Sequence, residues 1–216
     1  MTWDWEFVAE ILPELLRGLV VTVQATLVGA ILALTLGLVL ALLRRSQLAA
    51  VRVPTAVFVE FVRSTPLLVQ LYFLFFVLPS WGVLLSGFQA GVIGLGVHYA
   101  TYTSEVYRAG IEGVPRGQWE AATALNLPRS RVWRSVILPQ AIPRVLPALG
   151  NYVIAMFKET PLLSAITVAE MLAVARDIGA STFRYLEPIT LVGMLFLVLS
   201  LVAAVPLRRL ERRVGH

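Results

Sequence analysis

Residues 18–43 read GLVVTVQATLVGAILALTLGLVLALL, twenty-six positions without Asp, Glu, Lys or Arg, closed by Arg44 and Arg45. A bilayer's hydrocarbon core is about 30 Å thick and is crossed by roughly 20 apolar residues of helix, so this stretch reads as a membrane span. Working outward, residues 64–104 and 188–207 are equally free of these charges. The last fits one span and the middle one fits two. Hydrophobic residues make up 58% of the 216-residue chain and charged ones only 14%, against about a quarter in a soluble domain. The expected fold is all-α: one polytopic membrane domain over residues 1–216, with spans at 18–43, 57–78, 87–107, 140–160 and 188–207 and a polar loop at 108–139.

The arginines set the expected orientation. Arg44, Arg45 and Arg52 follow span 1, and Arg108, Arg116, Arg129, Arg131 and Arg134 follow span 3. Arg208, Arg209, Arg212 and Arg213 form the tail. Positive loops stay cytoplasmic, so the acidic N-terminus (Asp4, Glu6, Glu10, Glu14) belongs outside and the C-terminus inside, which requires an odd number of spans. Five satisfies every loop and leaves 160–187 outside as a half-buried helix facing a delivering protein. The acidic start also reads against a cleavable signal peptide. With no cysteine, disulfide and thiol chemistry are excluded. The net charge of +5 reads as loop arginines meeting anionic lipid, not as nucleic-acid binding.

Span 1 places Ala25, Gly29, Ala33, Gly37 and Ala41 at every fourth position, hence on one face. Span 3 repeats the device with Gly96, Ala100 and Ser104. Small residues let helices approach closely in lipid. Two readings stand: packing inside this subunit, or contact with a second membrane subunit.

Residues 116–139 (RGQWEAATALNLPRSRVWRSVILP) are polar and ordered. Pro115 suits a first helical turn. Gly117 to Leu125 reads as a short helix, ended by Asn126 in a left-handed cap. Pro128 opens a second helix with Arg129, Arg131 and Arg134 outward, and Leu138-Pro139 ends it. The result is a helix–turn–helix at the cytoplasmic surface, where Ala121 and Ala122 let a soluble partner come close.

Glu120-Ala121-Ala122, three residues, Asn126, nine residues, then Val136-Ile137-Leu138-Pro139 resembles the coupling loop of bacterial ATP-binding cassette importer permeases. Asn126 stands where that pattern has Gly, and Val136 where it has Ile. Arg63-Ser64-Thr65-Pro66-Leu67-Leu68-Val69-Gln70, the run 100–108 (ATYTSEVYR) and Lys158-Glu159-Thr160 look like the polar amino-acid permeases of the histidine and glutamine type. Trp3-Asp4-Trp5, Asn126-Leu127-Pro128 and Lys158-Glu159-Thr160-Pro161 are most similar to ectoine and hydroxyectoine permeases. The resemblance implies five spans and a place in the bacterial inner membrane. It also implies an importer of small zwitterions by alternating access. The implied partners are ATP-binding subunits, a second permease (the same or a homologue) and an external solute-binding protein. The ATPase contact then falls to Gly117, Glu120, Ala121, Ala122, Asn126, Leu138 and Pro139.

Ionisable groups within lipid face a pathway or a partner. Lys158, the sole lysine, and Glu159 lie at the expected outer end of span 4, where they form an interfacial pair or line a substrate path. Glu60 and Arg63, three apart, form a structural pair or an inner gate, with Pro66 kinking the span just beyond. Thr65, Gln70, Tyr102, Glu105 and Asn151 complete the candidate pathway. His98 reads as a hydrogen-bonded packing residue, since a lone His without Cys makes no zinc site. No Gly-rich phosphate loop is present, so no cofactor or ATP site is expected and hydrolysis is assigned to another polypeptide. A self-sufficient secondary transporter or channel predicts inverted repeats, and none is evident. A membrane enzyme would need a His, Asp or Glu cluster on facing spans, which the sequence lacks.

Overall fold

The structure is a computed structural model and describes residues 3–214. Of the tail arginines, Arg212 and Arg213 lie outside the residues whose side chains it describes. The main helices are α1 (Trp5–Arg44), α2 (Ala49–Arg63), α3 (Leu67–Tyr72), α4 (Gly87–Glu112) and α5 (Arg116–Ala124), then α6 (Arg129–Arg131), α7 (Leu138–Glu159), α8 (Met171–Thr182) and α9 (Leu186–Val214). A π stretch, Phe73–Val77, and a 3-10 turn, Leu78–Trp81, prolong α3. A second π stretch, Val132–Ile137, joins α6 to α7.

α1 starts well before the charge-free stretch. Asp4 caps it, accepting from the Glu6 and Phe7 backbone N–H groups at 3.0 and 3.2 Å. At 40 residues it spans roughly 60 Å. Its stripe of Ala25, Gly29, Ala33, Gly37 and Ala41 is buried inside the subunit. Gly29 lies against Leu95 and Met156, and Gly37 against Ala100 and Thr103. Thr103 Oγ1 also donates to the Ala33 carbonyl at 2.9 Å. Arg44 meets Glu105, so α1 and α4 run parallel along their length. Of the two readings of this stripe, the structure shows internal packing.

Span 2 is not one helix. α2 and the Leu67–Trp81 segment meet at a 103° bend. Pro66 accounts for the break: it disfavours helical backbone at Thr65 and has no N–H to bond back. Gln70 then serves the freed groups, donating to the Val62 and Thr65 carbonyls and to Thr65 Oγ1 at 2.8, 3.1 and 2.8 Å. Its Oε1 therefore accepts from His98 Nδ1 of α4 at 3.2 Å, which fixes the His98 tautomer. His98 is the hydrogen-bonded packing residue the sequence suggested.

By length and composition, Trp5–Arg44 and Leu186–Arg209 each suffice to cross a membrane, and the bent pair adds a third only as a broken span. α4 and α7 are long enough, roughly 39 and 33 Å, but more polar. α4 tolerates this because its neighbours enclose it: Ala90, Leu95, Ala100, Thr101, Thr103 and Ser104 are all buried.

α8 packs back along the start of α1. Met171, Ala175 and Ile178 lie with Phe7, Ile11 and Leu15 in one cluster. The expected half-buried helix within 160–187 is thus present. Glu170 caps it, fully buried, accepting from the Leu172 and Ala173 N–H groups at 2.9 and 2.7 Å.

Candidate functional site

α7 carries Glu159 and Lys158 to an unexpected depth. Met156 packs on Gly29, near the middle of the charge-free 18–43 stretch. Phe157 meets Phe196 at 5.0 Å between centroids, near the middle of 188–207. Both charges therefore sit about halfway along these apolar helices, not at the outer end of a span. α7 ends at that level, and the 3-10 segment Thr160–Ile166 continues from it. A charge at the centre of a lipid-facing helix costs about 2.5–3.5 kcal/mol on insertion scales, so such groups mark polar interiors.

The two residues do not form a pair. Successive helical positions are rotated by about 100°. Glu159 turns toward α4, where the Tyr99 hydroxyl lies against it, and its Oε2 is buried without a hydrogen-bond partner. Lys158 turns toward α9 and lines a groove with Phe196, Leu197 and Ser200. Around Glu159 the rings gather: Tyr99 and Tyr102 of α4 meet Tyr152 of α7 at 6.1 and 5.6 Å. Tyr152 is not among the sequence candidates, although it lies seven residues before Glu159 and shares its face. Aromatic faces beside an unsatisfied carboxylate suit an ammonium or guanidinium group.

Toward the arginine-rich end, this cluster meets a network of charges. Glu105 of α4 receives Arg44 of α1, Arg63 of α2 at 3.3 Å and Arg108 at 2.8 Å. Arg108 also bonds Glu112 at 2.6 Å. The Arg63 guanidinium lies 5.4 Å from the Tyr102 ring centroid. The expected Glu60–Arg63 pair is not formed. Arg63 turns inward to Glu105, while Glu60 stays exposed and accepts from Ser64 at 3.5 Å. Thr65 and Gln70 hold the α2–α3 bend. Asn151 lines the Lys158 groove on the other face of α7. The structure thus brings Tyr102, Glu159, Arg63 and Glu105 together and separates Glu60, Asn151 and Lys158 from them.

At the same end, α5 stands outside the bundle. Asn126 ends it at φ 49°, the left-handed cap that the sequence indicated. Gly117, Glu120, Ala121 and Leu125 share its outward face, and Leu125 is 73% exposed. Ala122, expected on the partner side, is instead buried, because it falls on the opposite face of the helix from Gly117. A small core of Ile111, Val114, Ile137 and Ala141 holds α5 against α7, with Trp119 and Trp133 edge to face at 5.5 Å. Arg144 bonds the Gly113 carbonyl, and Arg45 lies 5.9 Å from the Trp133 ring centroid. Leu138-Pro139 does not end a helix. The π stretch before it widens the turn and leaves room for the Pro139 ring, so α6 runs on into α7.

The chain matches the model of the binding-protein-dependent transport system inner membrane components over residues 33–216. It is 48% identical, over 96% of its length and 92% of that protein's, to the probable amino-acid ABC transporter permease protein y4tG of Sinorhizobium fredii. It is 34% identical, over 99% and 98%, to the arginine transport system permease protein ArtQ of Bacillus subtilis. The crystal structure of an amino acid ABC transporter with histidines superposes with a TM-score of 0.93 at 35% identity, over 99% of this chain and 100% of that one. The MetNI methionine ABC transporter, at 22% identity, 95% and 98% coverage and TM-score 0.76, shares the fold.

Proposed function

We propose, from the premise that this chain belongs to the family of binding-protein-dependent transport system inner membrane components, that it carries amino acids or similar small zwitterions past the Glu159 chamber. It is a permease subunit of an ATP-binding cassette importer and a multi-pass inner-membrane protein. Permeases of this kind work with ATP-binding subunits, a second permease and a solute-binding protein. The resemblance to ectoine permeases narrows the solute further within the same chemistry.

We place five passages, α1, the Leu67–Trp81 segment, α4, α7 and α9, in one domain over 1–216, with the N-terminus outside. The arginine distribution supports that orientation. The helix directions support it too, since α1 and α4 run parallel and the 116–139 loop lies at the arginine-rich end. In this arrangement Glu159 and the tyrosines hold the solute's cationic end, and Arg63–Glu105 forms the inner gate. The 160–187 segment faces the solute-binding protein.

The observation that carries the reading is the outward face of α5: Gly117, Glu120, Ala121 and Leu125 stand clear of the bundle next to a core that ties α5 to α4 and α7. Closure of the ATP-binding subunits pushes α5, and α7 transmits the movement to the chamber, as alternating access requires. Glu120→Ala leaves insertion intact and uncouples ATP hydrolysis from uptake in reconstituted vesicles. Normal uptake by this variant contradicts the role given to Glu120.

A further inference from the structure

α2 joins two hollows of opposite character. At its start, Arg52, Val53 and Val57 line a pocket of about 410 Å³ with Arg44 of α1 and with Arg108 and Glu112 of α4. Arg44 and Arg108 are shared with Glu105, and Arg108 with Glu112. With Arg63 also on Glu105, four guanidiniums stand against two carboxylates among the described residues of this network, so the pocket keeps an excess of positive charge. From there the outer side of α2 turns apolar. Val53, Val57 and Phe61, four apart and hence on one face, are 53%, 63% and 67% exposed. Glu60 borders that strip and accepts from Ser64. Phe61 then joins Phe58, Val69, Phe73 and Ile93 in the wall of a groove of about 370 Å³. Thr65 and Gln70 also line this groove, but they are bonded to each other and to backbone carbonyls.

Depth follows the same order. Arg52 lies beside Arg108 and Glu112, beyond the charge-free 64–104 stretch, whereas Val59 packs with Leu40 and Ala100, inside the charge-free stretches 18–43 and 64–104. A path along α2 from Arg52 to Phe61 therefore leads from the charged end of the bundle into its apolar part. We propose that the two hollows together bind one anionic phospholipid, with its phosphate at Arg52 and an acyl chain along Val57 and Phe61 into the groove. A free phosphate or an acidic side chain would use the guanidiniums and leave the apolar strip bare. A zwitterionic lipid would cover the strip and gain less from the excess charge. An anionic headgroup carried on an apolar chain uses both. The site rests on the chain's place in the membrane, not on which solute it carries or on Glu159.

The permease is assembled with its ATP-binding subunits in nanodiscs doped with phosphatidylglycerol that bears a diazirine on its acyl chain, then irradiated and digested for mass spectrometry. Adducts fall on residues 57–73, and unlabelled phosphatidylglycerol suppresses them. Soluble glycerol phosphate does not, and a phosphatidylcholine probe with the same chain labels the segment weakly. Arg52→Gln lowers the labelling about fivefold, Arg52→Lys retains it, and Arg129→Gln, outside the pocket, leaves it unchanged. Arg52 is exposed, so these variants keep the thermal midpoint of the parent. Equal labelling by the phosphatidylcholine probe overturns the proposal, as does unchanged labelling in Arg52→Gln. Displacement by glycerol phosphate overturns it in favour of a free phosphate. Adducts present in the permease alone and absent from the full assembly overturn it in favour of an acidic face of the ATP-binding subunit.

Discussion

A methyl group added at Gly37 would lie 2.0 Å from Thr103 Oγ1 and 2.9 Å from the Ala100 carbonyl, so α1 and α4 would have to part. Overpacking of this kind costs about 1–3 kcal/mol. Gly37→Ala therefore lowers the thermal midpoint of the solubilised protein, whereas Gly117→Ala, where nothing lies within 4 Å, does not. The recurrence of small residues at every fourth position makes this close helix contact legible in the sequence. The Glu159–tyrosine cluster is only partly legible there. Adjacency suggests that Lys158 and Glu159 act together, but one helical step sends them to different neighbours. Tyr152 is hidden for a related reason: its value comes from α4 rings far away along the chain. Glu159→Gln keeps the shape and removes the charge. Uptake of a cationic or zwitterionic solute by this variant falls at least tenfold with membrane insertion unchanged, and an unaltered rate contradicts the chamber.

Among the elements, the helix that caps itself cleanly is the easiest to foresee. Asn126 ends α5 as its residue type implies, and Pro66 breaks the α2–α3 segment. Pro139 misleads, because a proline after a polar helix usually marks its end, and nothing local announces a π stretch that absorbs it. The face of α5 is half legible for the same geometric reason: Ala121 and Ala122 cannot both look outward. α8 offers a clean test of element stability. Burial pushes the Glu170 carboxyl above the usual carboxylate range, while the Leu172 and Ala173 N–H groups hold it the other way. Glu170→Ala strips the cap from a buried helix start and costs about 1–2 kcal/mol, read as a lower melting midpoint; Gln, which keeps one acceptor, costs less.

In the molecule as a whole, the start of α1 and the start of α9 are tied together at the end far from the arginine-rich loop. Arg184 bonds Asp4 at 3.2 Å and Glu187 at 2.6 Å and lies 4.0 Å from the Phe7 ring centroid. The Phe7 backbone N–H, and then Arg184, hold the Asp4 carboxyl below its ordinary range. A depressed carboxylate adds stability above its unfolded pKa of about 3.9 and loses it as the pH falls through the lower folded value. The Asp4 contribution to the melting midpoint thus stays level from neutral pH to about 5 and is lost below about 4, together with that of Glu187, which Arg184 lowers likewise. Asp4→Asn, which still caps α1, flattens that drop. Charge-free stretches and loop arginines make the membrane class legible. They do not reveal the 103° bend or the enclosed α4, since both depend on how the helices cover one another.

Solute uptake should be recorded in proteoliposomes holding this permease and its solute-binding protein, with and without the ATP-binding subunits, in wild type and in Glu120→Ala. Uptake that requires both the ATP-binding subunits and ATP, and that falls in Glu120→Ala while ATP hydrolysis continues, is the expected result. Solute crossing at the full rate with no ATP-binding subunit present would contradict it.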